Sequence, residues 1–245
     1  MRLDLYLAQQ HLYDSRVRAA RAVKEGCVRV NGKIITKPSY EICLESDTVA
    51  CDADPVPYVG RGALKLAYVL DKYTINVHNM TAIDIGASTG GFADVLLQSG
   101  ASHVACVDVG HGQLAEKIRQ DVRTAVYEDT DIRDFKIGEG TYDIACADVS
   151  FISIRLIIPH IYRLLKEGGT AVCLIKPQFE VGRKNLNKKG IVKDSETARR
   201  AAEETAEFIA RSGFAVTGIC PSPIKGGDGN TEYFCVCRRT LKIDV

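Results

Sequence analysis

The sequence predicts an α/β fold: a mostly parallel sheet of seven strands with helices on both faces, preceded by a small α/β module. Three observations carry this. From about residue 65 onward, apolar strand-like runs alternate with helix-like segments, the order of a parallel sheet with right-handed crossovers. The stretch Thr81-Ala-Ile-Asp-Ile-Gly-Ala-Ser-Thr-Gly-Gly91 reads as a strand, a glycine-rich turn and a helix start, the end of a βα unit outside which ligands bind. The first 58 residues hold helix and hairpin signals of their own. The length of 245 residues suits one domain of about 150–200 residues plus a small extra module.

In order along the chain, residues 2–10 read as a short helix with Leu3, Tyr6 and Leu7 on one face. Ser15 is a good N-cap for a second helix through Lys24, which ends at Gly26; Val17, Ala20 and Val23 form its expected buried stripe. Cys27 to Ile35 is a hairpin signal, because Asn31-Gly32 tolerates the positive φ of a type I′ turn. Ile42 to Cys51 reads as another strand, and Asp52 to Tyr58 as a polar, proline-bearing linker. Arg61-Gly-Ala-Leu-Lys65-Leu leads into a helix to about Tyr73. After the strand ending at Ile85 come strands at His103–Asp108, Ala125–Glu128, Tyr142–Val149 and Thr170–Lys176, with helices at about Gln113–Arg119 and at Ile154–Leu165. Residues 178–193 form a basic loop and Ser195–Ser212 a long helix. Phe214–Cys220 and Tyr233–Arg238 close the sheet with an expected antiparallel edge.

The formal net charge is +1, so any argument about partners rests on local clusters. Arg16, Arg18, Arg21, Lys24, Arg29, Lys33 and Lys37 stand against only Glu25, and the acids Asp4, Asp14, Glu41, Glu45 and Asp47 are pushed to the flanks. Such a cluster across one helix and one hairpin points to RNA or phosphate. The nine cysteines have no Cys-x-x-Cys spacing and read as small buried hydrophobes in a reducing cytosol, not metal ligands. No signal peptide and no apolar run near 18 residues are present, so a cytoplasmic location without a membrane span is expected.

The glycine pattern is Gly-x-x-x-Gly-Gly, not the Gly-x-Gly-x-x-Gly of dinucleotide sites. It fits a cofactor with no pyrophosphate to cradle, such as S-adenosylmethionine, or a purely structural turn. Asp84 and Gly86 mark the strand's carboxyl edge. Asp108 ends the next strand, where a carboxylate accepts hydrogen bonds from ribose hydroxyls in NAD and S-adenosylmethionine sites alike. Asp131 suits either an adenine amino group or a turn cap. Asp148-Val-Ser-Phe151 follows the fourth strand, and Lys176 ends the apolar run Ala171-Val-Cys-Leu-Ile. Desolvation and a nearby cation favour a neutral amine, which would make such a lysine a usable base. Taken singly, Lys65 reads as an ordinary helix lysine and Glu232 as a surface residue.

Taken together these residues resemble known families. Arg2-Leu-Asp-x-Tyr-Leu, Ser15-Arg16-x-x-Ala19, Ala22-x-x-Glu-Gly26-x-Val28-x-Val30-Asn31-Gly32 and Lys37-Pro38-Ser39 are similar to the S-four (alpha-L) RNA-binding domain. Lys65, Asp148, Lys176 and Glu232 follow the Lys…Asp…Lys…Glu order of FtsJ-like ribose 2′-O-methyltransferases. With Asp84-Ile-Gly-Ala-Ser-Thr-Gly-Gly-Phe92, Val107-Asp-Val-Gly-His-Gly-Gln113, Asp148-Val-Ser-Phe-Ile-Ser153, Lys176-Pro-Gln-Phe-Glu180 and Gly226-Gly-Asp-Gly-Asn230, the whole chain resembles the TlyA (hemolysin A-like) family of ribosomal RNA cytidine 2′-O-methyltransferases. The resemblance implies an S-four-type domain over residues 1–58, a linker over 59–64 and a Rossmann-like, S-adenosylmethionine-dependent methyltransferase domain over 65–245. It implies Lys65, Asp148, Lys176 and Glu232 as catalytic residues. For the cofactor it implies Asp84, Gly86, Ala87, Ser88, Thr89, Gly90, Gly91, Phe92, Asp108, Asp131 and Asp148. For ribosomal RNA it adds Arg61, Arg183, Lys184, Lys188 and Lys189 to the N-terminal cations, with no metal and no membrane.

Two departures stand out. Gly60 replaces a common serine, which would loosen the linker, and Asp129-Thr-Asp131 replaces Arg-Thr-Asn, which would make the cofactor rim more acidic. The short length resembles forms restricted to the large subunit. Competing readings are a base methyltransferase, which would favour an Asn-Pro-Pro-aromatic string or a catalytic cysteine, and a non-catalytic assembly factor on the same fold. A pore-forming hemolysin lacks a lytic helix, and an NAD dehydrogenase is disfavoured by the glycine spacing.

Overall fold

The computed structural model describes residues 1–10, 12–13, 15–52 and 58–240; Asp14 and residues 53–57 of the expected linker lie outside the described residues. The chain divides into two compact units, Met1–Pro57 and Tyr58–Val245. The first holds α1 (Leu3–Gln9), α2 (Arg16–Lys24), β1 (Val28–Val30), β2 (Lys33–Ile34) and β3 (Val49–Cys51). Its strands pair antiparallel in the order β2-β1-β3. Ser15 caps α2, its hydroxyl accepting from Arg18 N at 3.2 Å, and Asn31 and Gly32 carry φ of 51° and 79°, the hairpin turn the dipeptide encodes.

Three expectations for this unit need correction. Val17 is 82% exposed; the buried stripe of α2 is Ala19, Ala22 and Val23, which pack with Leu3, Leu7 and Val28. The strand expected from Ile42 is only Val49–Cys51, because Cys43–Asp47 folds into a turn whose Cys43 N and Asn31 Nδ2 both donate to the Asp47 carboxylate. Cys43 and Cys51 are exposed, unlike the six buried cysteines of the second unit.

The second unit begins at Tyr58 and takes in the expected 59–64 linker, where Val59 N donates to buried Asp94 at 2.8 Å. It holds α3 (Ala63–Lys72), β4 (Thr81–Ile85), α4 (Gly91–Gln98), β5 (His103–Val107), α5 (Glu116–Arg119), β6 (Thr124–Tyr127) and β7 (Tyr142–Ala147), then α6 (Ile158–Leu164), β8 (Leu165–Ile175), α7 (Ser195–Arg211), β9 (Phe214–Pro221) and β10 (Tyr233–Arg239). The seven strands lie in the order β6-β5-β4-β7-β8-β10-β9. β4, β5, β6, β7 and β8 are parallel, and one buried apolar layer covers each face. The antiparallel strand is β10, paired to β8 on one side and β9 on the other, so it sits one place in from the edge and not at it. The α7 crossover carries the chain past that slot, and the return from β9 fills it.

Two helices are shorter than expected. Ile154–Leu165 breaks into a 3₁₀ turn (Ile154–Leu156) and α6, since Pro159 cannot donate within a continuous helix. The 113–119 helix shrinks to α5 because Gln113 N and Leu114 N are taken by Glu128 Oε1, and Ala115 is extended.

Candidate active site

The strand-end residues expected to carry chemistry gather at one edge of the sheet, the carboxyl edge of the parallel strands. Along β4, Asp84 points away from the cleft towards α4 and accepts from Ala93 N at 2.9 Å. Gly86 then turns the chain at φ +81°, and a Cβ there would lie 2.6 Å from the Asp148 carbonyl oxygen. Only glycine lets the two strand ends approach this closely. Gly90, at φ +88°, starts α4; a Cβ on it would strike Leu114 Cδ1 at 2.8 Å, and one on Gly91 would meet Ala63 N at 3.2 Å.

Beside Gly86 lies a cleft of about 420 Å³ lined by Ile85, Gly86, Ser88, Asp108, Gln113, Asp131, Asp148 and Phe151, among others. Of the expected cofactor residues, Gly86, Ser88, Asp108, Asp131 and Asp148 line it. Asp84, Ala87, Thr89, Gly90, Gly91 and Phe92 do not. They belong to the end of β4, the turn and the start of α4 next to it: Thr89 O accepts from Ala115 N, and Phe92 stacks on Phe234 with centroids 6.4 Å apart. Gln113, Thr130, Val149 and Phe151 also line the cleft, although no sequence signal singled them out for the cofactor. Their one sign was membership of the strand-end motifs.

The cleft's carboxylates are engaged locally. Asp108 accepts from Ser88 N at 2.8 Å and Gly110 N at 2.7 Å. Asp131 is held by the Arg133 guanidinium at 2.6 Å, which lowers its pKa. Asp129 pairs with His111 at 2.7 Å. The two acids that depart from the family pattern are therefore each matched by a basic side chain. Glu128 holds the backbone of Gln113 and Leu114 and pairs with Arg119 at 2.6 Å; that guanidinium first, then the amides, pull its pKa down to about 2. Asp84 has the opposite fate. Burial, opposed by the Ala93 amide and reinforced by the Asp148 and Asp108 charges, raises it to about 8, and its Oδ1 has no hydrogen-bond partner among the described residues. A glycine cradle, free lone pairs on Asp108 and a cavity within the roughly 300–1,000 Å³ of small-molecule sites fit an adenosine-bearing cofactor.

Next to this cleft the four residues expected as catalytic meet. Lys65 on α3 donates to Glu232 Oε2 at 2.7 Å and stands 4.0 Å from Asp148 Oδ2. Lys176 Nζ lies 2.6 Å from Asp148 Oδ1 and 2.6 Å from Ser150 Oγ. Side-chain exposures of 10% for Lys65, 11% for Lys176, 20% for Asp148 and 3% for Glu232 put these charges where water screens them little. Segments up to 167 residues apart supply the array. Ser150 stood out in the sequence only as part of the strand-end motif; its contact with Lys176 needed the fold.

With this constellation in place, comparison with known proteins decides the family. An FtsJ-like methyltransferase model matches residues 58–239, and an S4 domain model matches residues 1–49. The chain belongs to the FtsJ-like methyltransferase family. It is 42% identical to YqxC of Bacillus subtilis over 95% of this chain and 83% of that one. It is 38% identical to the 16S/23S rRNA (cytidine-2′-O)-methyltransferase TlyA of Mycobacterium tuberculosis, over 95% and 88%. The solved structure of a hemolysin-named protein from Streptococcus thermophilus superposes with a TM-score of 0.74 at 40% identity, covering 98% of this chain and 88% of that one. In this FtsJ-like chain, no helix among the described residues is long and apolar enough to cross a membrane, and no group of His, Cys, Asp or Glu among them is placed to hold a metal.

The expected RNA-binding cations divide. Arg16 is tied to Asp4 at 3.1 Å, Arg21 to Glu25 at 2.8 Å and Arg29 to Asp52 at 3.3 Å. Asp4 from the flank, Glu25 from within the cluster and Asp52 after it thus neutralise part of it, and it is less cationic than its spacing suggested. Arg18 is half-buried, whereas Lys24, Lys33, Lys37, Arg61, Arg183, Lys184, Lys188 and Lys189 are exposed. The last four stand on a loop tied down by buried Asn230, which accepts from Val192 N at 3.0 Å and donates to Gly190 O at 3.2 Å.

Proposed function

We propose that this chain methylates a ribose 2′-hydroxyl of ribosomal RNA, at a cytidine, in the cytoplasm where ribosomes are. The observation that carries this reading is the paired lysine–carboxylate array beside a cofactor-sized cleft. S-adenosylmethionine, held by Gly86, Ser88, Asp108 and Asp148, supplies an electrophilic methyl group when bound. A ribose hydroxyl is a poor nucleophile until its proton is taken, so the protein must orient it and supply an acceptor.

Lys176 fills that role. Its Nζ, 2.6 Å from both Asp148 and Ser150, orients the hydroxyl, and it takes the hydroxyl proton as the neutral amine, after giving one of its own protons to solvent, since an ammonium has no lone pair to accept with. Asp148 fixes Nζ and shares its negative charge with Lys65. Glu232 holds Lys65 in place. The S4 module and the 183–189 loop dock RNA phosphates, with the target ribose turned out of its stack to reach Lys176.

The test is S-adenosylmethionine-dependent methylation of unmodified ribosomal subunits, assayed separately, with the nucleosides identified by mass spectrometry. 2′-O-Methylcytidine formed by the wild type and lost in Lys176→Ala is the expected result, and it names the subunit used. A base-methylated nucleoside would overturn the mechanism. Absence of both transfer and cofactor binding would favour a non-catalytic ribosome-binding factor.

A further inference from the structure

Glu180 is buried, charged and unused by the mechanism above. Its side chain is 3% exposed. Oε2 accepts from Ser153 Oγ at 2.6 Å, Oε1 accepts from Ile154 N at 2.9 Å, and Arg155 Nε lies 3.6 Å from Oε2. Arg155 in turn donates to buried Thr205 on α7 at 3.1 Å. A carboxylate this buried is tolerated only when its lone pairs are matched, and these three partners all come from the segment after β7.

Glu180 itself stands on the segment after β8. A short 3₁₀ turn joins it to Lys176: Phe179 N donates to Lys176 O and Glu180 N to Pro177 O, both at 2.9 Å, and proline fixes the first φ. Across the gap, Ser153 and Ile154 follow directly on Asp148-Val-Ser150-Phe151. The same two segments meet again where the Phe151 and Phe179 rings lie 5.6 Å apart. The two short contacts of Lys176, to Asp148 and to Ser150, cross the gap that Glu180 bridges.

We propose that Glu180 is a positioning residue for methyl transfer, strapping the Lys176 turn to the Asp148–Ser150 segment so that Lys176 Nζ stays within reach of both. This rests on Lys176 acting on the hydroxyl. Displacement of a reacting group by about 1 Å costs up to roughly 100-fold in rate, so the strap is expected to act on turnover and not on binding.

The experiment measures single-turnover methyl transfer, S-adenosylmethionine and RNA dissociation constants and thermal midpoints for the full-length protein. Glu180→Gln keeps the volume but loses the charge and one acceptor. It is expected to slow transfer about ten- to a hundredfold, with both dissociation constants and the midpoint unchanged. Ser153→Ala, which removes the strap from the other side, gives a partial loss; Ser153→Thr, which keeps the hydroxyl, restores it. The double variant E180Q/S153A is no slower than the slower single one, since both cut one connection. A wild-type rate in E180Q, a rate loss that tracks a fall in thermal midpoint, or additive losses would overturn the proposal. Lys176→Ala run alongside separates the two readings. If it transfers at the wild-type rate, the assignment of Lys176 fails whatever E180Q does; if it is inactive while E180Q is fully active, only the strap fails.

Discussion

The two halves of the carboxyl edge hold their charges by different means. On the cofactor side, around β4, β5 and β6, carboxylates are fixed by their own neighbourhood. Asp108 is held by backbone amides, Asp131 by Arg133 two residues on, and Glu128 by two amides and one arginine. On the reaction side, around β7, β8 and β10, charges hold one another across the fold: Lys65 with Glu232, Lys176 with Asp148. An acid held by amides can be lost with only its loop loosened. A buried partner in a mutual pair cannot, because the survivor keeps its charge and loses its counter-charge.

The contrast can be broken most sharply at Glu232. Glu232→Ala leaves Lys65, in a nearly dry site, with only the Asp148 carboxylate at 4.0 Å, and is expected to cost up to about 3–5 kcal/mol of unfolding free energy together with methyl transfer, as read by denaturant titration and activity. A wild-type unfolding midpoint would show that the pair is not mutually dependent. Gly86→Ala tests the junction of the two halves: at φ +81° and 2.6 Å from Asp148 O, the added methyl is expected to cost roughly 1–3 kcal/mol of strain and to weaken S-adenosylmethionine binding in calorimetry at least tenfold.

Asp84 sharpens the comparison through pH. Its carboxyl is raised from 3.8 to about 8 by burial, so between those values the folded chain keeps a proton that the unfolded chain has lost. Its contribution is therefore fully present below the ordinary value and is lost as pH rises through about 8. The ligand-free wild type should lose thermal midpoint across that window more steeply than Asp84→Asn. Equal slopes would mean that Asp84 is ionised in the fold. The smallest effect is expected at Glu128→Gln: with Gln113 and Leu114 still bonded to the amide oxygen, cofactor affinity should fall only several-fold, and stability should hardly change. A collapse in stability there would erase the distinction between the halves.

What is legible in the sequence follows the same division. The Asn31-Gly32 turn, the Ser15 cap and the glycine turn at 86–91 are local devices, decided by a few adjacent residues, and they can be read as such. The stripe on α2 differs from the expected one because its buried positions, Ala19 and Ala22, carry little hydropathy, while Val17 does but faces water. Asp4 and Asp52 look like distant flanks in the sequence; the fold returns them to Arg16 and Arg29. Lys65 and Glu232 carry no local sign of their bond, and only their order within a family pattern joins them. Ser150 and Glu180 belong to recognisable motifs, yet their contacts depend on how two strand-end turns face each other, which no spacing encodes.

The placement of β10 bears on when the protein becomes an enzyme during its synthesis. Among the described residues β9 has β10 as its only strand neighbour, and Glu232 reaches Lys65 only as β10 enters between β8 and β9. A nascent chain that has emerged as far as β8 can form the parallel strands and the cofactor cleft, since domains fold progressively as they leave the ribosome. It still has a Lys65 without its Glu232 partner and an unpaired side on β8. Insertion of the last strand closes both at once, so competence for reaction arrives in one late step, after the cleft that feeds it already exists.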